Sequence, residues 1–319
     1  MIEIKGLTKR FGPIAAVAGV DLTVQQGEVL GFLGPNGAGK STTMKMIAGF
    51  LAPDDGYVRI RGHDIETDTL AAQEQIGYLP EGAPAYPDMT PRQFLGFIAE
   101  VRGLNGEAAH SAIATAVART ELDPVLEQPI DTLSKGFKRR VGVAQAILHN
   151  PPVLIMDEPT DGLDPNQKHA VRQLIRHMAP EKAIIISTHL LEEVEAICTR
   201  AVIIDRGRIV ADGTPSELLA RSRHHNAVTV MLPPAAAERA AATLRSLPNV
   251  AEVEQTATNG AASLTAYPKG GAVLIEDVIA VASRDGWDVK ELYAEPGRLD
   301  EVFRAVTTND AARARESRA

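Results

Sequence analysis

A glycine-rich segment at residues 34–42 constrains this chain more than any other feature. It consists of Gly34, Pro35, Asn36, Gly37, Ala38, Gly39, Lys40, Ser41 and Thr42, and it matches the pattern G-x-x-x-x-G-K-[ST] of phosphate-binding loops. The apolar residues 29–33 before it predict a strand, and residues 41–47 after it predict a helix. Glycines let a backbone wrap a phosphate chain, and a helix N-terminus offers N–H donors to anions. The segment predicts binding of a nucleoside triphosphate, with Lys40 at the β- and γ-phosphates and Ser41 at Mg²⁺.

Composition limits the size class and the partners of the chain. The 319 residues carry a net charge of −8 and are 45% hydrophobic, which fits about two domains with sizeable cores. Nucleic-acid binding is disfavoured because phosphate backbones reward basic surfaces. The single cysteine, Cys198, excludes an internal disulfide and fits a reducing compartment. Because no apolar run reaches the roughly 18 residues of a membrane-spanning helix and the N-terminus lacks a signal-peptide pattern, we expect a soluble intracellular protein.

Strand and helix patterns alternate along most of the chain and predict an α/β fold. Continuous apolar runs such as residues 153–156 are separated by helical patterns, which is typical of a parallel sheet covered on both faces. The residue pattern of the chain changes at 223–227, so we place the first domain at residues 1–223 and a smaller one at 227–307. The smaller one has the order β-α-β-β-α-β, which predicts a ferredoxin-like α+β unit. Residues 308–319 are polar and rich in alanine and arginine, and we expect them to be disordered.

Two adjacent carboxylates, Asp157 and Glu158, follow the apolar run at 153–156. They would lie at the carboxyl end of a parallel strand, where such sheets place their sites. With a phosphate loop upstream, Asp157 suits the Mg²⁺ shell, and Glu158 suits orienting the attacking water or accepting its proton. His189 ends the next apolar strand and would emerge at the same edge, within reach of the γ-phosphate. Lys40, Glu158 and His189 are therefore the predicted catalytic residues.

Together these residues resemble the ATP-binding subunits of ABC transporters over about residues 2–223. Phe11 occupies the position of the aromatic residue that stacks on adenine in that family. Residues 133–137, Leu-Ser-Lys-Gly-Phe, resemble the family signature, residues 162–165 the loop after the carboxylates, and residues 186–189 the switch-histidine strand. The resemblance implies an ATPase with a mixed sheet core, an antiparallel β subdomain and a helical subdomain, using ATP and Mg²⁺.

The resemblance also implies partners. In the family the residues at Ser134 and Gly136 bind the γ-phosphate held by the opposite subunit, so each ATP lies between two chains. One phosphate loop and one signature then imply a homodimer or a pair with a homologous ATPase subunit. An integral membrane permease would be the further partner, with the ATPase peripheral on the cytoplasmic face of the cell membrane and no nucleic acid bound. The branch it resembles drives ABC-2 type exporters, including gliding-motility-associated and multidrug-type subunits.

The chain departs from the family pattern in two places. Glu81 stands where the family has a glutamine that approaches Mg²⁺, and its carboxylate either tightens the metal site or turns away until the dimer closes. Lys135 and Phe137 replace the glycine and glutamine of the usual signature, while Ser134 and Gly136 remain, so we expect activity.

The helical subdomain is expected at about residues 82–133. In the family its groove accepts a coupling helix of the membrane subunit, and an apolar lining suits such a partner helix. The candidate lining residues are Ala85, Tyr86, Pro87, Met89 and Phe94.

Two other interpretations remain open from the sequence. A soluble ABC ATPase acting on ribosomes or DNA is disfavoured by the acidic charge and by the lack of a second ATP domain or a long coiled-coil insertion. A regulatory, ligand-sensing role of the C-terminal domain is the other. GTP is disfavoured as substrate because the sequence contains no Asn-Lys-x-Asp motif.

Overall fold

The computed structural model describes residues 1–82, 85–258 and 261–316. The chain divides into two compact units, the first covering Met1–Pro215 and the second beginning at Ser216.

The first unit contains the phosphate loop and the carboxylates. Its strands are β1 (Ile2–Phe11), β2 (Ile14–Val24), β3 (Val29–Leu33), β4 (Asp55–Ile60), β5 (His63–Asp64), β6 (Ile76–Leu79), β7 (Val153–Asp157), β8 (Ala183–Thr188), β9 (Arg200–Asp205) and β10 (Arg208–Gly213). Its helices are α1 (Lys40–Ile47), α2 (Thr69–Glu74), α3 (Pro91–Val101), α4 (Gly106–Thr120), α5 (Lys135–Ile147), α6 (Pro165–Met178) and α7 (Leu191–Ile197).

A mixed sheet forms the centre of this unit, in the order β10-β9-β3-β8-β7-β6. Strands β9, β3, β8, β7 and β6 pair in parallel, and β10 pairs antiparallel with β9. Every residue of β3, β7 and β8 is buried, which explains their continuous apolar sequences. A second sheet, antiparallel and ordered β2-β1-β4-β5, shares a hydrophobic core with it. The predicted mixed core and antiparallel subdomain are confirmed.

Helices α3 and α4 lie within the predicted helical subdomain at about residues 82–133, and α5 follows it. Ala83 and Pro84 of that segment lie outside the described residues. Thr90 caps α3 by accepting a hydrogen bond from the Gln93 backbone N–H while the Gln93 side chain bonds back to Thr90. The expected groove lining is wrong at Phe94. This side chain is only 4% exposed, because it lies on the inner face of α3.

The exposed aromatic of α3 is instead Phe97, at 38%. Tyr86, at 52%, stacks edge-on against both Phe94 and Phe97, with ring centroids 6.2 and 5.6 Å apart. An apolar surface is therefore present on α3, one helical turn from the predicted residue.

The second unit is a small α+β structure. Its elements are α8 (Pro215–Leu219), which starts at the last residue of the first unit, β11 (Val228–Leu232), α9 (Pro234–Ser246), β12 (Val250–Thr258), β13 (Ala261–Pro268), α10 (Ile275–Arg284), β14 (Glu291–Ala294) and α11 (Leu299–Glu316). The sheet is antiparallel and ordered β12-β13-β11-β14, and one hydrophobic core packs it against α9 and α10. This is the expected β-α-β-β-α-β arrangement.

The limits of the second unit differ from those expected. Residues 216–226 belong to it because side chains there bond within it: His224 Nδ1 lies 3.0 Å from Glu301 Oε2, and the Tyr267 hydroxyl lies 3.2 Å from His224 Nε2. Helix α11 continues over residues 308–316, where alanine and arginine favour helix, and residues 317–319 lie outside the described part.

Across the described residues, no helix is both long enough and apolar enough to span a bilayer.

Candidate active site

The phosphate loop connects β3 to α1 at the carboxyl edge of the mixed sheet, as the sequence predicts. Gly37 and Gly39 adopt φ values of 79° and 109°, which side chains other than glycine rarely allow. A Cβ on Gly39 would lie 2.3 Å from the carbonyl oxygen of Ala16, whereas a Cβ on Gly37 would meet nothing within 4 Å. The loop is therefore folded tightly against β2 at Gly39 and stands free at Gly37.

Lys40 is the first residue of α1 and is only 7% exposed. Its ammonium donates hydrogen bonds to the carbonyl oxygens of Gly34, at 2.7 Å, and Pro35, at 3.3 Å. The charge therefore lies inside the loop, bound to neutral acceptors that a phosphate oxygen can replace.

Asp157 ends β7 and is 1% exposed. The Ser187 hydroxyl of the neighbouring strand donates to Asp157 Oδ1. Oδ2 is buried and has no hydrogen-bond partner among the described residues. A buried carboxylate oxygen requires a donor or a cation, and Mg²⁺ binds one or two carboxylates and keeps water or phosphate as its other ligands. Asp157 therefore fits the predicted place on a magnesium ion.

Glu158 follows with a left-handed backbone, φ 53°. Its N–H donates to the Ser187 carbonyl at 3.1 Å, and its own carbonyl accepts from the Arg139 guanidinium. A non-glycine residue in this region costs energy, and such residues cluster at active sites. Its carboxylate points to the sheet edge, where Oε2 lies 2.9 Å from His189 Nδ1.

One cavity of about 460 Å³ collects most of the predicted residues. It is lined by Phe11, Ala16, Asn36, Gly37, Gly39, Lys40, Ser41, Thr42, Glu81 and Glu158. Phe11 is half exposed at the end of β1, so its ring is available to a planar ligand. Asp157 and His189 do not line the cavity: the first is buried, and the second is half exposed and lies within hydrogen-bonding distance of Glu158.

Glu81 lies at the same end of the sheet as Asp157. Burial, followed by the negative charges of Asp157 and Glu81, raises the pKa of Tyr78 to about 12. Among the residues placed by the structure, no three His, Cys, Asp or Glu side chains are grouped closely enough to form a metal cage by themselves. A magnesium ion here would take Ser41 and Asp157 with ligands from the nucleotide.

The signature residues do not reach this cavity. Ser134 is exposed and caps α5 by accepting a hydrogen bond from the Phe137 N–H at 3.3 Å. Gly136 is buried, and a Cβ at this position would lie 2.3 Å from the side-chain oxygen of Gln167. Ser134 is therefore open to solvent, with its hydroxyl oxygen bound to the Phe137 N–H.

Two residues at the site were missed by the sequence interpretation. The Ser187 hydroxyl donates to the Asp157 carboxylate and accepts from the Glu158 N–H. The sequence feature that could have identified it is a polar residue directly after the run of isoleucines in β8. Arg139 is 5% exposed and donates to the carbonyl oxygen of Glu158. The sequence feature that could have identified it is a charged residue on the same helical face as the buried Val143.

Known proteins resemble this chain in sequence and in fold. The ABC transporter family model matches residues 17–161. The Nod factor export ATP-binding protein I of Burkholderia lata is 37% identical over 219 residues, which cover 68% of this chain and 72% of the relative. The linearmycin resistance ATP-binding protein LnrL of Bacillus subtilis is 35% identical over 222 residues, covering 69% and 71%. A solved ATP binding subunit of an ABC transporter superposes with a TM-score of 0.64 at 32% identity, covering 68% of this chain and 91% of that structure.

Proposed function

Because the chain belongs to the ATP-binding proteins of the ABC transporter family, we propose that it hydrolyses ATP in the cavity at the phosphate loop to drive an ABC-2 type exporter. The observation that carries the proposal is the position of Glu158. Its carboxylate is bonded to His189 and lines the same cavity as Lys40 and Phe11.

Each residue has a role that follows from its place. Phe11, half exposed at the rim, stacks on adenine. Lys40 exchanges its carbonyl acceptors for the β- and γ-phosphate oxygens. Glu158 orients the attacking water and accepts its proton, while His189 holds the carboxylate and contacts the γ-phosphate.

The proposed reaction also uses magnesium. When bound, the ion neutralises negative charge that develops on the phosphates. Ser41 and Asp157 would hold it, and the unpartnered Oδ2 of Asp157 supports this assignment. Glu81 lines the same cavity as Ser41, and we assign it to the metal shell.

The cavity is half of a site. Ser134 is exposed outside it, at the start of a helix whose N–H groups favour an anion. We assign Ser134 and Gly136 to the γ-phosphate bound by a second copy of this chain, so that ATP closes the dimer and hydrolysis opens it.

A membrane permease is the proposed partner at the apolar surface of Tyr86, Phe97 and Val101. Val101 is 65% exposed one turn beyond Phe97, which gives a stripe suited to an amphipathic helix. The protein would then act at the cytoplasmic face of the membrane. The relatives named for Nod factor export and linearmycin resistance favour export over action on ribosomes or DNA.

Steady-state ATPase activity of Glu158→Gln tests the proposal. Losing a general base lowers turnover by about 10²–10⁴-fold, while the Kd of ATP should stay close to that of the unsubstituted protein. Glu195→Gln is the matched control, because Glu195 is an exposed glutamate of α7 away from the cavity. Full turnover in Glu158→Gln would show that another group activates the water.

A further inference from the structure

Arg139 lies at the junction of three chain segments. It belongs to α5 and is 5% exposed. One guanidinium nitrogen donates to the carbonyl oxygen of Pro80 at 3.3 Å, and the other donates to the carbonyl oxygen of Glu158. One side chain therefore joins α5, the loop after β6 and the residue proposed to activate water.

Nearby carboxylates, in addition to the two hydrogen bonds, interact with the charge of Arg139. Burial lowers its pKa, and this shift is opposed by the nearby carboxylates of Asp161, Asp157, Glu158 and Glu81. An uncompensated buried charge is costly, and this surrounding negative charge offsets part of the cost of burying the arginine.

Both acceptors of Arg139 are backbone groups next to functional side chains. Pro80 directly precedes Glu81, which lines the nucleotide cavity. Glu158 itself has the left-handed backbone that directs its carboxylate to His189. A residue held in such a conformation depends on its surroundings to stay there. Arg139 does not line the cavity, so its effect on the reaction passes through these two segments.

We propose that Arg139 is a positioning residue for ATP hydrolysis: it fixes the Glu158 backbone and ties it to the loop that carries Glu81. This inference rests on the proposed function of Glu158. A displacement of the Pro80–Glu81 loop is thereby transmitted to the hydrolytic carboxylate through one guanidinium group.

The test compares Arg139→Gln and Arg139→Lys in the full-length protein. We measure kcat and KM for MgATP and, separately, the Kd of a fluorescent ATP analogue. Misplacing a catalytic group by about 1 Å costs about 10²-fold in rate, so Arg139→Gln should lose kcat by about that factor with little change in Kd. Arg139→Lys keeps the charge and one donor group, and it should recover part of the loss.

Arg102→Gln is the matched control. Arg102 also donates to two backbone carbonyls, of Gln73 at 2.9 Å and Ile76 at 3.2 Å, but it does not contact Glu158. The Arg102→Gln variant should keep its kcat, which separates positioning from the general loss of an arginine that is at least partly buried. An equal loss of kcat in Arg102→Gln would overturn the proposal.

The energetic coupling between Arg139 and Glu81 is a second measurement. A purely structural role of Arg139 would not produce such coupling. If the two residues act through one network, their effects on kcat will not be additive. Arg139→Gln should cost less in a Glu81→Gln background, because less negative charge is left uncompensated. Strict additivity, or loss of ATP binding in Arg139→Gln, would refute positioning.

These outcomes are distinct from failure of the proposed function. If Glu158→Gln retains turnover, the assignment of Glu158 fails. If Glu158→Gln is inactive while Arg139→Gln turns over at the unsubstituted rate, only the role of Arg139 is refuted.

Discussion

The packing of the phosphate loop against β2 predicts a large difference between two glycine substitutions. Gly37→Ala and Gly39→Ala each place a methyl group on a residue with positive φ, at 79° and 109°. Only the second methyl group meets an obstacle, the Ala16 carbonyl oxygen at 2.3 Å. A backbone oxygen cannot rotate away, so the loop or β2 must shift.

The geometry sets the size of the effect. A left-handed conformation costs an ordinary residue about 1–2 kcal/mol, and this cost applies to both variants. The gain from a stiffer unfolded chain is also common to both, so it cancels in the comparison. Overpacking adds about 1–3 kcal/mol in Gly39→Ala alone. We therefore expect Gly39→Ala to lose about 2 kcal/mol more unfolding free energy than Gly37→Ala.

Thermal unfolding of the two variants without nucleotide measures this difference. For a unit of 150–250 residues, about 2 kcal/mol corresponds to a Tm lower by about 4–8 °C. The Kd of ATP should rise more in Gly39→Ala as well, because the loop that presents its N–H groups is displaced. Equal Tm values for the two variants would refute the packing of the loop against β2.

Three further predictions concern other parts of the first unit. Burial lowers the pKa of the half-buried His149 to about 4. Since the unfolded state then binds more protons than the folded state between about pH 4 and 6.5, Tm should decrease as the pH is lowered through that window, and His149→Gln should reduce this decrease. Lys135 and Asp161 pair at 3.0 Å but are about half exposed, so Lys135→Ala should cost less than about 1 kcal/mol in chemical unfolding, and a larger loss would reveal a buried role. Phe11→Ala should weaken ATP binding by about 1–3 kcal/mol in a titration, and an unchanged Kd would remove Phe11 from the adenine site.

The nearness of Glu158 and His189 could be predicted from the sequence because both follow fully apolar strands. Such strands pair in parallel, and their carboxyl ends share an edge. The structure pairs Asp157 with Ser187, which brings the residues that follow within hydrogen-bonding distance. The phosphate loop was equally predictable, because its glycine spacing is local.

Long-range contacts of single side chains could not be predicted. Arg139 reaches carbonyls 59 and 19 residues away in the chain, and no periodicity encodes that choice. The orientation of α3 was ambiguous for a related reason: its apolar residues extend around more than one face, so the pattern could not separate buried Phe94 from exposed Phe97.

The central claim is that ATP is held between the phosphate loop of one copy and Ser134 of another. Sedimentation of Glu158→Gln, with and without saturating MgATP, tests it most directly. The account predicts a dimer only when MgATP is present, and a monomer for the double variant Glu158→Gln, Ser134→Arg, which should still bind ATP. A Glu158→Gln protein that binds ATP and remains monomeric, or a double variant that dimerises, would contradict it.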